Sequence, residues 1–137
     1  LPGIVPFGQV RQTALQVVAV EVNAALAARL ACSGLAGTVR CADFLQCSAD
    51  AGDLGLFDAV LMNPPFAQGA DIEHITHALT MLKPGGRLVA LCANGPRQSA
   101  RLRPMVEARG GEWEDLPADT FKDEGTGVRV ALITMQA

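Results

Sequence analysis

The apolar positions of the chain fall into short β-branched runs separated by stretches with helical spacing. "QVVAVE" (16–21) reads as a strand buried on both faces. In "NAALAARLACSG", Asn23 is placed to cap a helix, Leu26 and Leu30 share a face, and Gly34 suits the C-terminal cap. "GTVRCAD" (37–43) alternates as a second strand, "SADAGDLG" reads as loop, and "FDAVLMN" as a third strand. "DIEHITHALTML" predicts a helix starting at Asp71, with Ile72, Ile75, Leu79 and Leu82 on one stripe. "KPGG" is expected to turn into a fourth strand, "RLVALCAN". Residues 97–109 have a helical pattern in which Pro104 either opens a helix or kinks one. "GEWEDLP" and "GVRVALITMQ" read as two final strands. Residues 1–15 are broken by Pro2, Gly3, Pro6 and Gly8 and resist assignment, although 9–15 fit a short helix.

Strands alternating with helices at this spacing predict βαβ units, hence an α/β domain with a mainly parallel sheet and helices on both faces. No repeat or linker divides the 137 residues, so a single domain is expected. Ligands of such sheets sit at the carboxyl ends of the strands. Three of those ends carry informative polar residues: Glu21, Asp43 and Asn63.

Composition narrows the picture only a little. Half of the residues are apolar and 18% are charged, as in ordinary globular domains. The net charge of −3 excludes a basic nucleic-acid clamp acting by bulk charge. Cys32, Cys41, Cys47 and Cys92 lack C-x-x-C spacing and read as reduced thiols of a cytoplasmic protein. The apolar runs fall far short of the ~20 residues that span a bilayer. His74 and His77, with Glu73, lie off the apolar stripe and lack H-E-x-x-H spacing, so they read as a solvated face and not as metal ligands. Arg97, Arg101, Arg103 and Arg109 stand against Glu107 alone, a basic stretch open to phosphate contact or to plain helix surface charge. Trp113 is expected in the core.

The strand-end residues carry the chemistry. A carboxylate at Glu21 can accept from two ribose hydroxyls, or it can cap the next helix. Asp43 can accept from an adenine amino group, with Phe44 covering the ring face; loop aspartates are also common turn residues. Asn63-Pro64-Pro65-Phe66 is the sharpest pattern. Each proline pushes the residue before it to extended geometry, and neither proline has an N–H to satisfy. The Asn63 side-chain oxygen and the Pro64 carbonyl can then converge on one –NH2 group, directing its lone pair toward an electrophile. Phe66 offers a face on which a planar substrate can stack, or a side chain for the core.

With "ADF" at 42–44, "NPPF" at 63–66 and "MLKPGGRLVAL" at 81–91, the chain resembles class I S-adenosylmethionine-dependent methyltransferases that act on amines, similar to N6-adenine DNA methyltransferases. The stretch from "VLMNPPF" to "LCANGP", with "FKDEGTGVRVALI", resembles small methyltransferases of phages and plasmids. The resemblance covers residues 16–137. It implies a Rossmann-like fold whose last strand is antiparallel. It implies that Glu21 holds the ribose of S-adenosylmethionine, that Asp43 bonds its adenine and that Phe44 covers it. It further implies that Asn63, Pro64, Pro65 and Phe66 position the target amine, with Phe121 near the target. Neither a metal nor a covalent intermediate is required. The implied substrate is adenine N6 of DNA, which would have to flip out of a duplex. The alternatives are an RNA base, a protein glutamine, or an inactive relative that only binds.

One departure from the family pattern stands out. Such proteins open with a strand and a Gly-rich D/E-x-x-x-G-x-G loop shortly before the position of Glu21, where this chain has "LPGIVPFGQVR". Pro6 could not donate to a central ladder. The strand and loop are therefore expected to lie upstream of Leu1, with poor cofactor binding as the consequence.

Overall fold

The computed structural model describes residues 15–120 and 127–137. Its contacts group into two compact units, Leu1–Gln46 and Cys47–Ala137.

The first unit is a βαβ element. Strand β1 (Val18–Glu21) leads into helix α1 (Ala24–Ser33) and strand β2 (Thr38–Cys41). The helix begins where the sequence places it, with Asn23 Oδ1 accepting from the Leu26 N–H at 3.0 Å. It ends at Gly34, whose φ of 72° is one that glycine adopts without a steric penalty. β1 and β2 pair in parallel from Val18↔Thr38 to Glu21↔Cys41, so Glu21 and the loop after Cys41 share one edge. Here the expected burial is not met. β1 is only half-buried, Leu26 is 46% exposed, and Ala27 is the one buried residue of α1. Two four-residue strands and one helix offer too little surface to cover both faces of β1.

The second unit holds a four-stranded sheet in the order β3-β4-β6-β5, formed by β3 (Phe57–Met62), β4 (Leu82–Ala93), β5 (Glu112–Asp115) and β6 (Val130–Gln136). β3 and β4 are parallel, whereas β6 runs antiparallel to both β4 and β5. This is the mixed, last-strand-reversed arrangement expected of the fold. The period-2 alternation of β4 and β6 splits the sheet into two faces. The pairs Leu88↔Met135, Ala90↔Ile133 and Cys92↔Ala131 are buried, whereas Val89↔Thr134 and Leu91↔Leu132 are half-exposed. Ile72, Ile75 and Ala78 of α2 (Ala70–Leu79) are buried, as are Leu102 and Val106 beside and within α4 (Arg103–Ala108).

Two expectations need correction in this unit. Leu82 belongs to β4 and not to the α2 stripe, and "KPGG" is not a free turn but part of the strand. The ladder decides this: Phe57 pairs with Leu82, the Gly85 N–H donates to the Ala137 carbonyl, and the Ala137 N–H donates to the Gly86 carbonyl. A Cβ on Gly86 would lie 2.9 Å from the Lys83 carbonyl oxygen and 3.1 Å from that of Asp58, so this crossing has room only for glycine. The 97–109 stretch is two helices, α3 (Pro96–Arg101) and α4, with Pro104 opening the second.

Candidate active site

In the first unit, the Glu21 carboxylate ends β1 half-buried, and its Oε1 accepts from the Asn23 N–H at 2.9 Å. It therefore braces the entry to α1 and keeps its second oxygen for another donor. Asp43 follows β2 at the same edge of the ladder. Its Oδ1 accepts from the Leu45 N–H at 3.0 Å, opening the single turn Phe44–Gln46. Phe44 is half-buried. Two carboxylates at the carboxyl ends of adjacent parallel strands, with an aromatic ring beside one, fit the ribose and adenine parts of S-adenosylmethionine. The "LPGIVPFGQVR" window that should meet the methionine part lies outside the described residues, as does Phe121.

In the second unit, Asn63 follows the last residue of β3. It is exposed, and its side-chain amide has no hydrogen-bond partner among the described residues. Pro64 is buried, Pro65 exposed and Phe66 half-buried. After Phe66 comes a single turn, Ala67–Gly69, and then α2. Within that turn Gln68 has φ 56°, the only positive φ of a non-glycine residue among those described. Gly69 follows at φ 75°. An open apolar concavity of about 430 Å³ adjoins Asn63, lined also by Leu61, Met62, Val89, Leu91 and Leu132.

What holds this turn has no signature in the residue pattern. Asp71 is fully buried. Its Oδ2 accepts from the Ala93 N–H at 2.8 Å, its Oδ1 accepts from the Ile72 N–H at 2.9 Å, and the buried Gln98 Nε2 donates to both oxygens at 3.1 and 3.2 Å. The carboxylate thus ties the first turn of α2 to the end of β4 and to α3. Burial, and secondarily the Asp71 charge, pushes the Cys92 thiol up to about 12. An aspartate opening a helix looks like a solvated cap in sequence, and Gln98 has no distinguishing context. Only the burial of both sets them apart.

The remaining candidates have ordinary structural partners. His74 Nδ1 meets the Ala70 carbonyl at 2.8 Å and His77 Nε2 meets the Cys47 carbonyl at 2.7 Å. Among the described residues no group of three His, Cys, Asp or Glu side chains could hold a metal. Trp113 is half-buried; its Nε1 donates to Asp115 Oδ1, and Arg103 stacks on its ring at 4.5 Å. Asn94 also donates to Asp115 Oδ1, at 2.8 Å.

Comparison with known proteins gives the family and the fold. The family described as "Methyltransferase small domain" matches residues 6–108. No curated protein sequence matches the chain. Among solved structures, an rRNA methylase from Streptococcus thermophilus is similar over 88% of this chain and 72% of its own, at 16% identity and a TM-score of 0.55. The Thermus thermophilus 16S rRNA N2 G1207 methyltransferase, solved with AdoMet and guanosine, is similar over 96% of this chain at 20% identity and a TM-score of 0.59. The matched region spans 32% of that protein's length. A chain of a type I R-M system is similar over 74% of this chain, at 20% identity and a TM-score of 0.54.

Proposed function

This chain belongs to the methyltransferase small domain family, and on that premise we propose that it carries the methyl group of S-adenosylmethionine to the exocyclic amine of a nucleic-acid base. One observation carries the choice of an amine. The Asn63 amide stands exposed, and unpaired among the described residues, at the carboxyl end of β3, followed by two prolines that have no N–H to compete for acceptors. The Asn63 Oδ1 and the Pro64 carbonyl accept from the –NH2 group and turn its lone pair outward. Phe66 stacks on the base plane. Glu21 holds ribose hydroxyls of the cofactor through the oxygen not used by Asn23, and Asp43 with Phe44 takes the adenine. When bound, the cofactor supplies a methyl group activated by its sulfonium charge.

The sequence resemblance favours adenine N6 of DNA. An RNA base is the reading we prefer, because two of the similar structures are rRNA methylating enzymes and one was solved with guanosine. A tritiated-methyl transfer assay with the full-length protein, offering single-stranded RNA, duplex DNA and a protein mixture, tests both. Label in RNA alone supports the preferred reading, and label in DNA alone restores the adenine one. Label in protein alone, or none in any, overturns transfer to a base.

A further inference from the structure

The four arginines of the basic stretch do not have equal roles. Arg103 stacks on Trp113, and Arg109 Nη1 donates to the Gln136 carbonyl at 3.2 Å. Arg97 and Arg101 are exposed and have no acidic or hydrogen-bonding partner among the described residues. They stand four apart on α3 and so share a face.

Arg97 lies against the turn that follows Phe66. Its Cδ and Nη1 are both 3.1 Å from where a Cβ on Gly69 would stand. A Cβ at residue 69 would crowd the Arg97 side chain, which would have to give by a few tenths of an ångström, so the glycine that permits the positive φ also lets the cation lie close against the turn. The guanidinium therefore rests three residues after Phe66, on a chain whose net charge is −3. A compact anion is what two unpaired guanidinium groups at this rim are suited to bind.

We propose that Arg97 and Arg101 grip backbone phosphates of the nucleic-acid strand that carries the target base, holding the strand across the Ala67–Gly69 turn beside Asn63. The proposal rests on the nucleic-acid reading given above and supplies it with an electrostatic contact that the acidic whole lacks. The phosphates position the strand without reading its sequence.

The test is fluorescence-anisotropy titration of a labelled single-stranded RNA with the full chain over a salt series. The chain is compared with Arg97→Ala, Arg101→Ala, Arg97→Lys and Lys83→Ala. Lys83 pairs with Asp58 at the opposite end of the sheet and controls for loss of one charge. Each arginine-to-alanine change is expected to weaken binding several-fold and to lower the slope of log K against log salt by about 0.7. Arg97→Lys is expected to keep the slope, and Lys83→Ala to match the unaltered chain. Equal slopes for the arginine and Lys83 variants overturn the proposal, as does an unaltered chain that binds no oligonucleotide at low salt. The methyl-transfer assay separates the two readings. Arginine-dependent binding without base methylation removes the activity and leaves the grip. Base methylation with binding indifferent to both arginines removes the grip alone.

Discussion

Asp71 Oδ2 accepts a hydrogen bond from the Ala93 N–H at 2.8 Å, joining the start of α2 to the last residue of β4, 22 positions along the chain. Gln98 Nε2 closes the network from α3. Asp71→Ala would leave the Ala93 N–H and the Gln98 amide buried without acceptors, and each such group costs about 1–3 kcal/mol. The expected outcome is a fall in the urea midpoint corresponding to roughly 3 kcal/mol with an unchanged m-value. A loss below about 0.5 kcal/mol, the range of an ordinary surface change, would show that the tie contributes little.

Asn63 is the opposite case. Its side chain is exposed and makes no bond to another described residue. Asn63→Ala should leave stability within about 0.5 kcal/mol of the parent chain. In the full-length protein it should lower methyl transfer by roughly 10²–10³, the scale of losing one preorganised polar contact to a reacting group. Cofactor affinity, measured by calorimetry, should not move. Transfer at the parental rate would remove Asn63 from the chemistry.

The contrast between these residues shows what was legible in the sequence. Asn23 and Gly34 act through their own backbone neighbours, so their spacing announced them. The parallel β1–β2 and β3–β4 pairs followed from element order, and the reversed β6 from the family resemblance. Asp71 and Gln98 gain their roles from partners more than 20 residues away. The same holds for Pro84, Gly85 and Gly86, which look like a turn until Phe57, Asp58 and Ala137 are placed beside them. The four arginines were indistinguishable as letters. Trp113, Gln136 and Gly69 separate them.

Gln68 offers a test of strain beside the site. A non-glycine residue in the left-handed region costs roughly 1 kcal/mol, and Gln68 sits there at φ 56° with its side chain exposed. Gln68→Gly is expected to raise thermal stability by a few tenths to about 1 kcal/mol, less whatever the unfolded chain gains in freedom. If the turn is held for positioning the target, the same variant should raise KM for the methylated strand while sparing cofactor affinity. Unchanged stability together with unchanged KM would mean that the turn is neither strained nor used.

Cys92 carries a pH dependence whose direction can be worked out. Its thiol is pushed from an ordinary 9.0 to about 12 in the fold, by burial first and the Asp71 charge second. Below pH 9 the thiol is protonated in both folded and unfolded chains, so its contribution is present in full. Between 9 and 12 the unfolded chain releases this proton while the folded chain keeps it. Stability should therefore fall by about 1.4 kcal/mol per pH unit through that window. Urea melts from pH 8 to 11 should show this alkaline slope, and Cys92→Ala, less stable at pH 8 for want of the buried sulfur, should show a shallower one. A thiol reagent at pH 8 should label exposed Cys32 and Cys41 in the native chain, and buried Cys47 and Cys92 only after denaturation. Parallel slopes for the parent and Cys92→Ala would mean that the thiol ionises alike in both states, and that its burial does not govern the alkaline limb.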